Sequence, residues 1–360
     1  MYHNIPKVPF LGQIICLFLP LLFANCRSTS TVEDSLALDK KTHLIFLDSL
    51  QATKFIIQDK SEHFFDHISS LDMMIQMKKT YPKDRPRNAI LKDYKQFLQT
   101  DVAAFTPKEK ELLTRVWKKV YTDCQSIRKG LFPDAIPLVK TNANHYGPGV
   151  YYTREKGIII PMNELYAGNE DGLYRVMLHE LFHIWSRLHP QKRKALYALI
   201  GFDKLPVGIE ELQMEESLRQ RILLNPDGID FSYGIKLIKA DGALIEALPM
   251  IQANRADYSS DQASFFEYLS FQLFPLQRTD QGGYKVVSQA NGDPVEELIS
   301  STNFMEIISD NTGYIIHPDE IMADNFVLWV QKNRKDSPLA LSLSPQGQQL
   351  LDRVNTVLSQ

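Results

Sequence analysis

Three histidines and one glutamate lie within the largely apolar stretch RVMLHELFHIWSRLHP, residues 175–190. They are His179, Glu180, His183 and His189, and they fall within eleven positions. Imidazole and carboxylate groups are costly inside an apolar helix unless each finds a partner. A bound metal ion would satisfy several of them at once, so the segment predicts a metal site.

The spacing of His179 and His183 places both imidazoles on one face of a helix, about one turn apart. Both rings could then bind one zinc ion, at Zn–N distances of about 2.0–2.1 Å. Glu180 follows one position round the helix, beside the open side of the ion. From there its carboxylate could remove a proton from a zinc-activated water that attacks a carbonyl group. The HExxH spacing therefore predicts zinc-dependent hydrolysis with Glu180 as the general base.

A catalytic zinc ion takes three protein ligands and keeps one open position, so a third ligand is needed. His189 is the nearest candidate. The spacing of the four polar residues resembles the HExxHxxGxxH pattern of metzincin proteases, with Ser186 at the position of the glycine. If the helix instead continues to Pro190, His189 faces away from the other two histidines, because six residues turn a helix by about 600°.

A second candidate for the third ligand lies in HPDEIMADNFVLWV, residues 317–330. Glu320 and Asp324 are four residues apart in this segment, and most of its remaining positions are apolar. The pattern resembles the NExxSD motif of gluzincin zinc peptidases. Asp319 stands where that motif has asparagine, and Ala323 stands where it has serine.

The gluzincin resemblance implies that Glu320 is the third zinc ligand. It also implies that Asp324 orients a ligand histidine, which we expect to be His179, through the second ring nitrogen. Between His183 and Glu320 lie 136 residues. The resemblance therefore requires a sizeable insertion between the two helices.

Four glutamates closer to the histidines form a third alternative for the ligand. They lie in GIEELQMEESLRQR and are Glu210, Glu211, Glu215 and Glu216. The high charge of this segment is typical of a solvent-exposed helix.

Two neighbouring segments could complete a hydrolytic site. GVYYTREKGIIIPMN, residues 149–163, predicts an edge hairpin that could pair with an extended substrate, as such a strand does in zincin proteases. His317 and Tyr314 immediately precede the predicted ligand helix. Both are candidates for stabilising an oxyanion, a role that carries no local sequence signature.

The elements that must position these residues indicate an α+β fold. Apolar residues at helical spacing predict a helical region over 43–130, including a helix that begins after the capping residue Thr106 and ends at Gly130. Short β-branched and aromatic runs then predict a small sheet before the histidine helix. We expect a zincin-like metallopeptidase domain over 131–360, with an active-site helix, a ligand helix and an insertion around 200–312.

The N-terminus has the features of a secretory signal peptide. MYHNIPKVPFLGQIICLFLPLLFANC contains Lys7, an apolar run over 8–23 and small residues before Cys26. Its ending, LLFANC, resembles a bacterial lipoprotein signal. The resemblance implies that residues 1–25 are removed, that Cys26 carries a lipid and that residues 26–42 form a polar tether. We expect a cell-envelope lipoprotein on the periplasmic side or at the cell surface.

Composition excludes two other classes of protein. The formal net charge is −3 and no basic stripe is visible, which argues against a nucleic-acid partner. The three cysteines are Cys16, Cys26 and Cys124. Removal of the signal and lipidation of Cys26 would leave only Cys124, so a disulfide framework within the chain is excluded.

The sequence thus predicts an exported, membrane-anchored zinc peptidase that binds one Zn²⁺ per chain and cleaves a peptide or protein substrate. One alternative is a surface lipoprotein that uses a zincin scaffold to bind a partner. Another is a metzincin-like site that uses His189, and a third is a zinc hydrolase that acts on non-peptide amides.

Overall fold

The described part of the chain begins after the predicted signal. A computed structural model describes residues 34–208, 211–229, 231–262, 264–335 and 342–360. The predicted signal peptide and Cys26 lie outside the described residues, and so does Glu210.

Six described strands form a sheet beside the histidine helix. They are β1 (Ser35–Ala37), β2 (His43–Phe46), β3 (Val102–Ala103), β4 (Ala135–Thr141), β5 (Tyr152–Arg154) and β6 (Gly157–Pro161). The order is β1-β2-β4-β6-β5, and β3 pairs with β4. The β2–β4 and β4–β6 pairs are parallel, whereas β5 runs antiparallel to β6 at the sheet edge. The hairpin predicted over 149–163 is confirmed, and β5 is its edge strand.

The N-terminal part is less helical than the sequence predicted. Its helices are α1 (Ser49–Phe55), α2 (Phe64–His67), α3 (Ser70–Met77), α4 (Arg87–Thr100) and α5 (Pro107–Ile127). The helix expected from residue 43 is wrong over β2, which pairs with β4, and β1 lies within the predicted tether. A short apolar run fits either a strand or a helix, and here pairing along the sheet decides for the strand.

The start of α5 follows the sequence prediction. The Thr106 side chain accepts from the Glu109 backbone N–H, and the Glu109 carboxylate accepts from the Thr106 N–H. This reciprocal pair satisfies two donors that the first turn would otherwise leave free. The helix ends at Ile127 rather than at Gly130, because Arg128 already has extended backbone angles.

Seven more helices follow in the described residues. They are α6 (Glu170–Leu188), α7 (Pro190–Ala198), α8 (Glu216–Arg221), α9 (Phe265–Tyr268), α10 (Phe304–Ile308), α11 (Pro318–Asn333) and α12 (Pro345–Ser359). Helix α6 carries the HExxH motif and packs against α5 and α11. Its apolar residues share one buried cluster with Trp117 of α5 and Trp329 of α11. This packing holds α6 and α11 side by side, so their polar residues can meet.

The predicted insertion contains a second sheet. Its described strands are β7 (Phe202–Lys204), β8 (Tyr233–Ile238), β9 (Leu244–Ala253), β10 (Leu269–Arg278) and β11 (Tyr284–Val286). The order is β11-β10-β9-β8-β7, with every neighbouring pair antiparallel. Gly242, in the turn between β8 and β9, has φ +88°, which glycine adopts without strain. The sequence analysis predicted an insertion here and did not predict this sheet.

The described residues therefore form a mixed α+β structure with two sheets. None of the helices described between residues 34 and 360 has both the length and the apolar character required to cross a bilayer.

Candidate metal centre

Helices α6 and α11 bring the two sequence motifs together. His179 Nε2 lies 2.9 Å from Glu320 Oε2, and His183 Nε2 lies 3.4 Å from the same oxygen. Ligand atoms around a tetrahedral zinc ion with bonds of about 2.0–2.1 Å are separated by roughly 3.3 Å. The separation between Glu320 and each of the two histidines is therefore close to that expected for ligands of one zinc ion.

The other ring nitrogen of each histidine contacts an aspartate of α11. His179 Nδ1–H donates to Asp324 Oδ1 at 3.0 Å, and His183 Nδ1–H donates to Asp319 Oδ2 at 2.6 Å. A carboxylate in this position fixes the ring orientation and leaves Nε2 to face a metal. Asp324 thus contacts the predicted partner, His179. Asp319 makes the equivalent contact to His183, which the sequence analysis did not predict.

Both aspartates are themselves held by hydroxyl groups. Ser186 Oγ donates to Asp319 Oδ1 at 2.9 Å, and the Tyr197 hydroxyl donates to the same oxygen. The Thr312 hydroxyl donates to Asp324. Ser186, which occupies the position of the metzincin glycine, therefore supports the carboxylate that orients His183.

Replacing Asp319 with asparagine should weaken zinc binding by about 10–100-fold, because the amide cannot hold the His183 ring as a carboxylate does. Competition with a chromophoric chelator measures this affinity. Asp171→Asn, which changes an exposed residue at the start of α6, is the matched control and should bind zinc normally. Equal affinities for the two variants would contradict an orienting role for Asp319.

A turn from the insertion adds two polar residues to the cluster. Asn225 Nδ2 donates to Glu320 Oε1 at 2.6 Å. One carboxylate oxygen of Asp227 and the ligand atoms of His183 and Glu320 lie within 4.8 Å of one another. Nothing local in NPDG, residues 225–228, indicates which side chains this turn will meet.

Carboxylates outnumber the two histidines in this cluster. Those that lie in it or directly contact it are Glu180, Asp227, Asp319, Glu320 and Asp324. All except Asp324 are buried. Several negative charges in poorly solvated surroundings are costly, and a divalent cation would offset that cost.

The pKa values of the cluster reflect this crowding. Burial, followed by the charge of Asp227, raises the pKa of Glu180 to about 8. Burial alone would lower the pKa of His179, but its hydrogen bonds to Asp324 and Glu320 raise it to about 10. Burial opposes ionisation of Glu320, yet the charge of His183 and the hydrogen bond with His179 hold the pKa of Glu320 well below its usual range. A zinc ion bound here at neutral pH would therefore displace a proton from His179.

Two buried polar atoms of the cluster lack a hydrogen-bond partner among the described residues: His183 Nε2 and Glu180 Oε2. Such atoms are rare in folded proteins and call for an explanation. An ion between the histidines would use the lone pair of His183 Nε2. A water or substrate group beside the ion would bond to Glu180. The residues therefore fit a zinc ion, both in the chemistry of their donor atoms and in what they leave unsatisfied.

The cluster opens into a cavity of about 400 Å³. His179, Glu180 and Glu320 line part of its wall. Apolar residues that line the rest include Val150, Leu224, Ile251, Phe265, Leu269 and Val327. A concave, mainly apolar space with a few convergent polar groups is typical of a small-molecule or peptide site.

The two predicted oxyanion stabilisers have different positions. Tyr314 lines the cavity, and its ring stacks on His179 with 6.0 Å between centroids. His317 is buried at the start of α11, where its Nδ1 accepts from the Asp319 N–H at 3.1 Å, and it is not among the cavity-lining residues. Tyr151, which the sequence analysis did not single out, lines the cavity and has a buried hydroxyl without a partner among the described residues.

The alternative third ligands that the structure describes lie apart from the cluster. His189 caps the end of α6, where its Nδ1–H donates to the Trp185 carbonyl at 2.8 Å and its ring stacks on Trp185. Glu211, Glu215 and Glu216 are exposed. Because α6 stays helical up to Leu188, His189 does not face the other two histidines.

The chain matched no protein-family model, no curated protein and no solved structure.

Proposed function

We propose that this protein is a zinc-dependent peptidase in which His179, His183 and Glu320 bind the ion and Glu180 is the general base. One observation carries the proposal: the Nε2 atoms of both histidines converge on Glu320 Oε2, 2.9 and 3.4 Å away, while each Nδ1 is held by an aspartate. This arrangement leaves both Nε2 atoms beside one carboxylate oxygen and free of the two aspartates. Two histidines and one glutamate are the protein ligands of one established class of catalytic zinc site.

A bound zinc ion would supply a Lewis acid that lowers the pKa of a water molecule and polarises the scissile carbonyl. Glu180 would accept the proton of that water, because it lines the cavity and its Oε2 has no other partner among the described residues. It would then pass the proton to the leaving amine.

The cavity favours an extended peptide as the substrate. Val150 and Tyr151, just before the edge strand β5, line the cavity beside Glu180. A peptide in extended conformation could follow this edge and place one side chain in the apolar part of the cavity. Peptide-library cleavage by the zinc-loaded full chain, with Glu180→Gln alongside, tests the activity. Absence of cleavage by the zinc-loaded protein would contradict the proposal.

Replacing Tyr151 with phenylalanine should lower kcat by roughly 10²-fold, because a hydrogen-bond donor to the developing oxyanion would be lost. Zinc content should not change, since the Tyr151 hydroxyl makes no hydrogen bond to a proposed ligand among the described residues. Tyr314→Phe, at the other cavity tyrosine, is the comparison variant. A kcat for Tyr151→Phe within twofold of the parent would exclude this role for Tyr151.

The location of the protein is a separate proposal that rests on the N-terminal sequence. We propose export, removal of residues 1–25 and lipid attachment at Cys26 in the cell envelope. The intact mass of the purified mature protein measures both changes. A mass that includes residues 1–25 would contradict the proposal.

A further inference from the structure

The 225–228 turn is held tightly against the proposed metal centre. Asn225 donates to Glu320 Oε1, the oxygen that does not face the histidines. Gly228 lies so close to the ring of His317 that an added Cβ would be only 2.2 Å from its Nδ1. The turn therefore has contacts to the start of α11 on both sides of Asp227.

Asp227, at the centre of this turn, connects the proposed metal centre with the edge strand. Its Oδ1 accepts from the Thr153 backbone N–H at 2.8 Å and from the Thr153 hydroxyl. One of its carboxylate oxygens lies within 4.8 Å of the facing atoms of His183 and Glu320. Asp227 is buried, with 7% of its surface exposed, and it lines the cavity.

We propose that Asp227 is a fourth metal ligand, and that the 225–228 turn closes the site in the free protein. Two imidazoles and two carboxylates complete a tetrahedral shell, whereas catalysis needs one open position. The same carboxylate accepts the hydrogen bond of the Thr153 N–H. An extended substrate that paired with β5 could otherwise use this backbone donor. One side chain thus contacts both the proposed ion site and a backbone donor of the edge strand.

This inference rests on the proposed function and adds its regulation. The free protein is latent, and an entering peptide must displace Asp227 from both contacts before hydrolysis begins.

The test uses the full chain loaded with Co²⁺, whose visible absorption reports its coordination, and acetohydroxamate, which needs open positions on the ion. We expect Asp227→Asn to bind acetohydroxamate at least tenfold more tightly than the parent. Its zinc affinity should also fall at least tenfold. Asp203→Asn, an exposed residue of the same insertion, is the matched control and should change neither value.

Equal acetohydroxamate and zinc affinities for the parent and Asp227→Asn would overturn the inference. A loss of peptidase activity with unchanged acetohydroxamate affinity would place Asp227 in substrate binding and would also overturn it. If the variant does not fold, titration of the parent decides, because tight acetohydroxamate binding there means an open site. Failure of both proteins to cleave peptides would contradict the peptidase proposal alone, since the Co²⁺ titration still reports on Asp227.

Discussion

Replacing Glu180 with glutamine should lower kcat/KM for peptide hydrolysis by about 10²–10⁴-fold, because the amide cannot accept a proton from the attacking water. The substitution keeps the size of the side chain and removes no hydrogen bond to Oε2, which has no partner among the described residues. The proposed ligand atoms of His179, His183 and Glu320 are untouched. Zinc content should therefore remain that of the parent.

The matched control for this prediction is Glu216→Gln, which makes the same chemical change at an exposed position of the insertion. It should retain the kcat/KM of the parent. Steady-state kinetics on one peptide, with zinc measured in the same samples, separates loss of the base from loss of the ion. A Glu180→Gln protein that hydrolyses the peptide as fast as the parent would exclude Glu180 as the general base.

Zinc should also stabilise the fold substantially. A ligand that binds only the folded state at 1,000 times its dissociation constant adds about 4 kcal/mol to the free energy of unfolding. For a chain of this size we expect a Tm increase of roughly 6 °C. The physical cause is local, because the ion offsets the repulsion among buried carboxylates that include Glu180, Asp227 and Glu320.

Thermal unfolding before and after removal of zinc with a chelator measures this effect, and added Zn²⁺ should restore the higher Tm. Mg²⁺ at the same concentration should not, because it prefers an octahedral set of oxygen ligands. The Glu320→Ala variant is the matched control and should show little zinc-dependent change. Equal Tm values with and without zinc would contradict a metal bound at this cluster.

Local signals predicted a large part of the candidate site. His179, Glu180 and His183 lie within one helix, so their spacing alone fixes their relative positions. Glu320 and Asp324 could be proposed because their spacing resembles a known pair. Whether Glu320 and Asp324 reach the histidines depends on how α6 packs against α11 in the core. No local sequence pattern specifies this packing.

The residues that the sequence did not predict are those whose roles depend on tertiary contacts. Asp319 looked like a departure from the gluzincin motif, yet it orients His183. Asn225 and Asp227 looked like ordinary turn residues, and their contacts to α11 and β5 arise only when the insertion folds back. Tyr151 was one aromatic residue among several in the predicted hairpin.

The fold shows the same division between local and distant information. The capping residue Thr106 predicted where α5 starts. The sheet pairing of β2 and the antiparallel order of the second sheet were not predictable, because both depend on partners far along the chain. Strand and helix are hard to distinguish in short apolar runs without that pairing.

The central claim is that Glu320 of α11 closes a zinc site begun by the two histidines of α6. Elemental mass spectrometry on the full chain, on Glu320→Ala and on Glu216→Ala tests it most directly. We predict about one zinc per chain for the parent and for Glu216→Ala, and loss of zinc from Glu320→Ala. A parent without zinc, or a Glu320→Ala variant that keeps as much zinc as the parent, would contradict it.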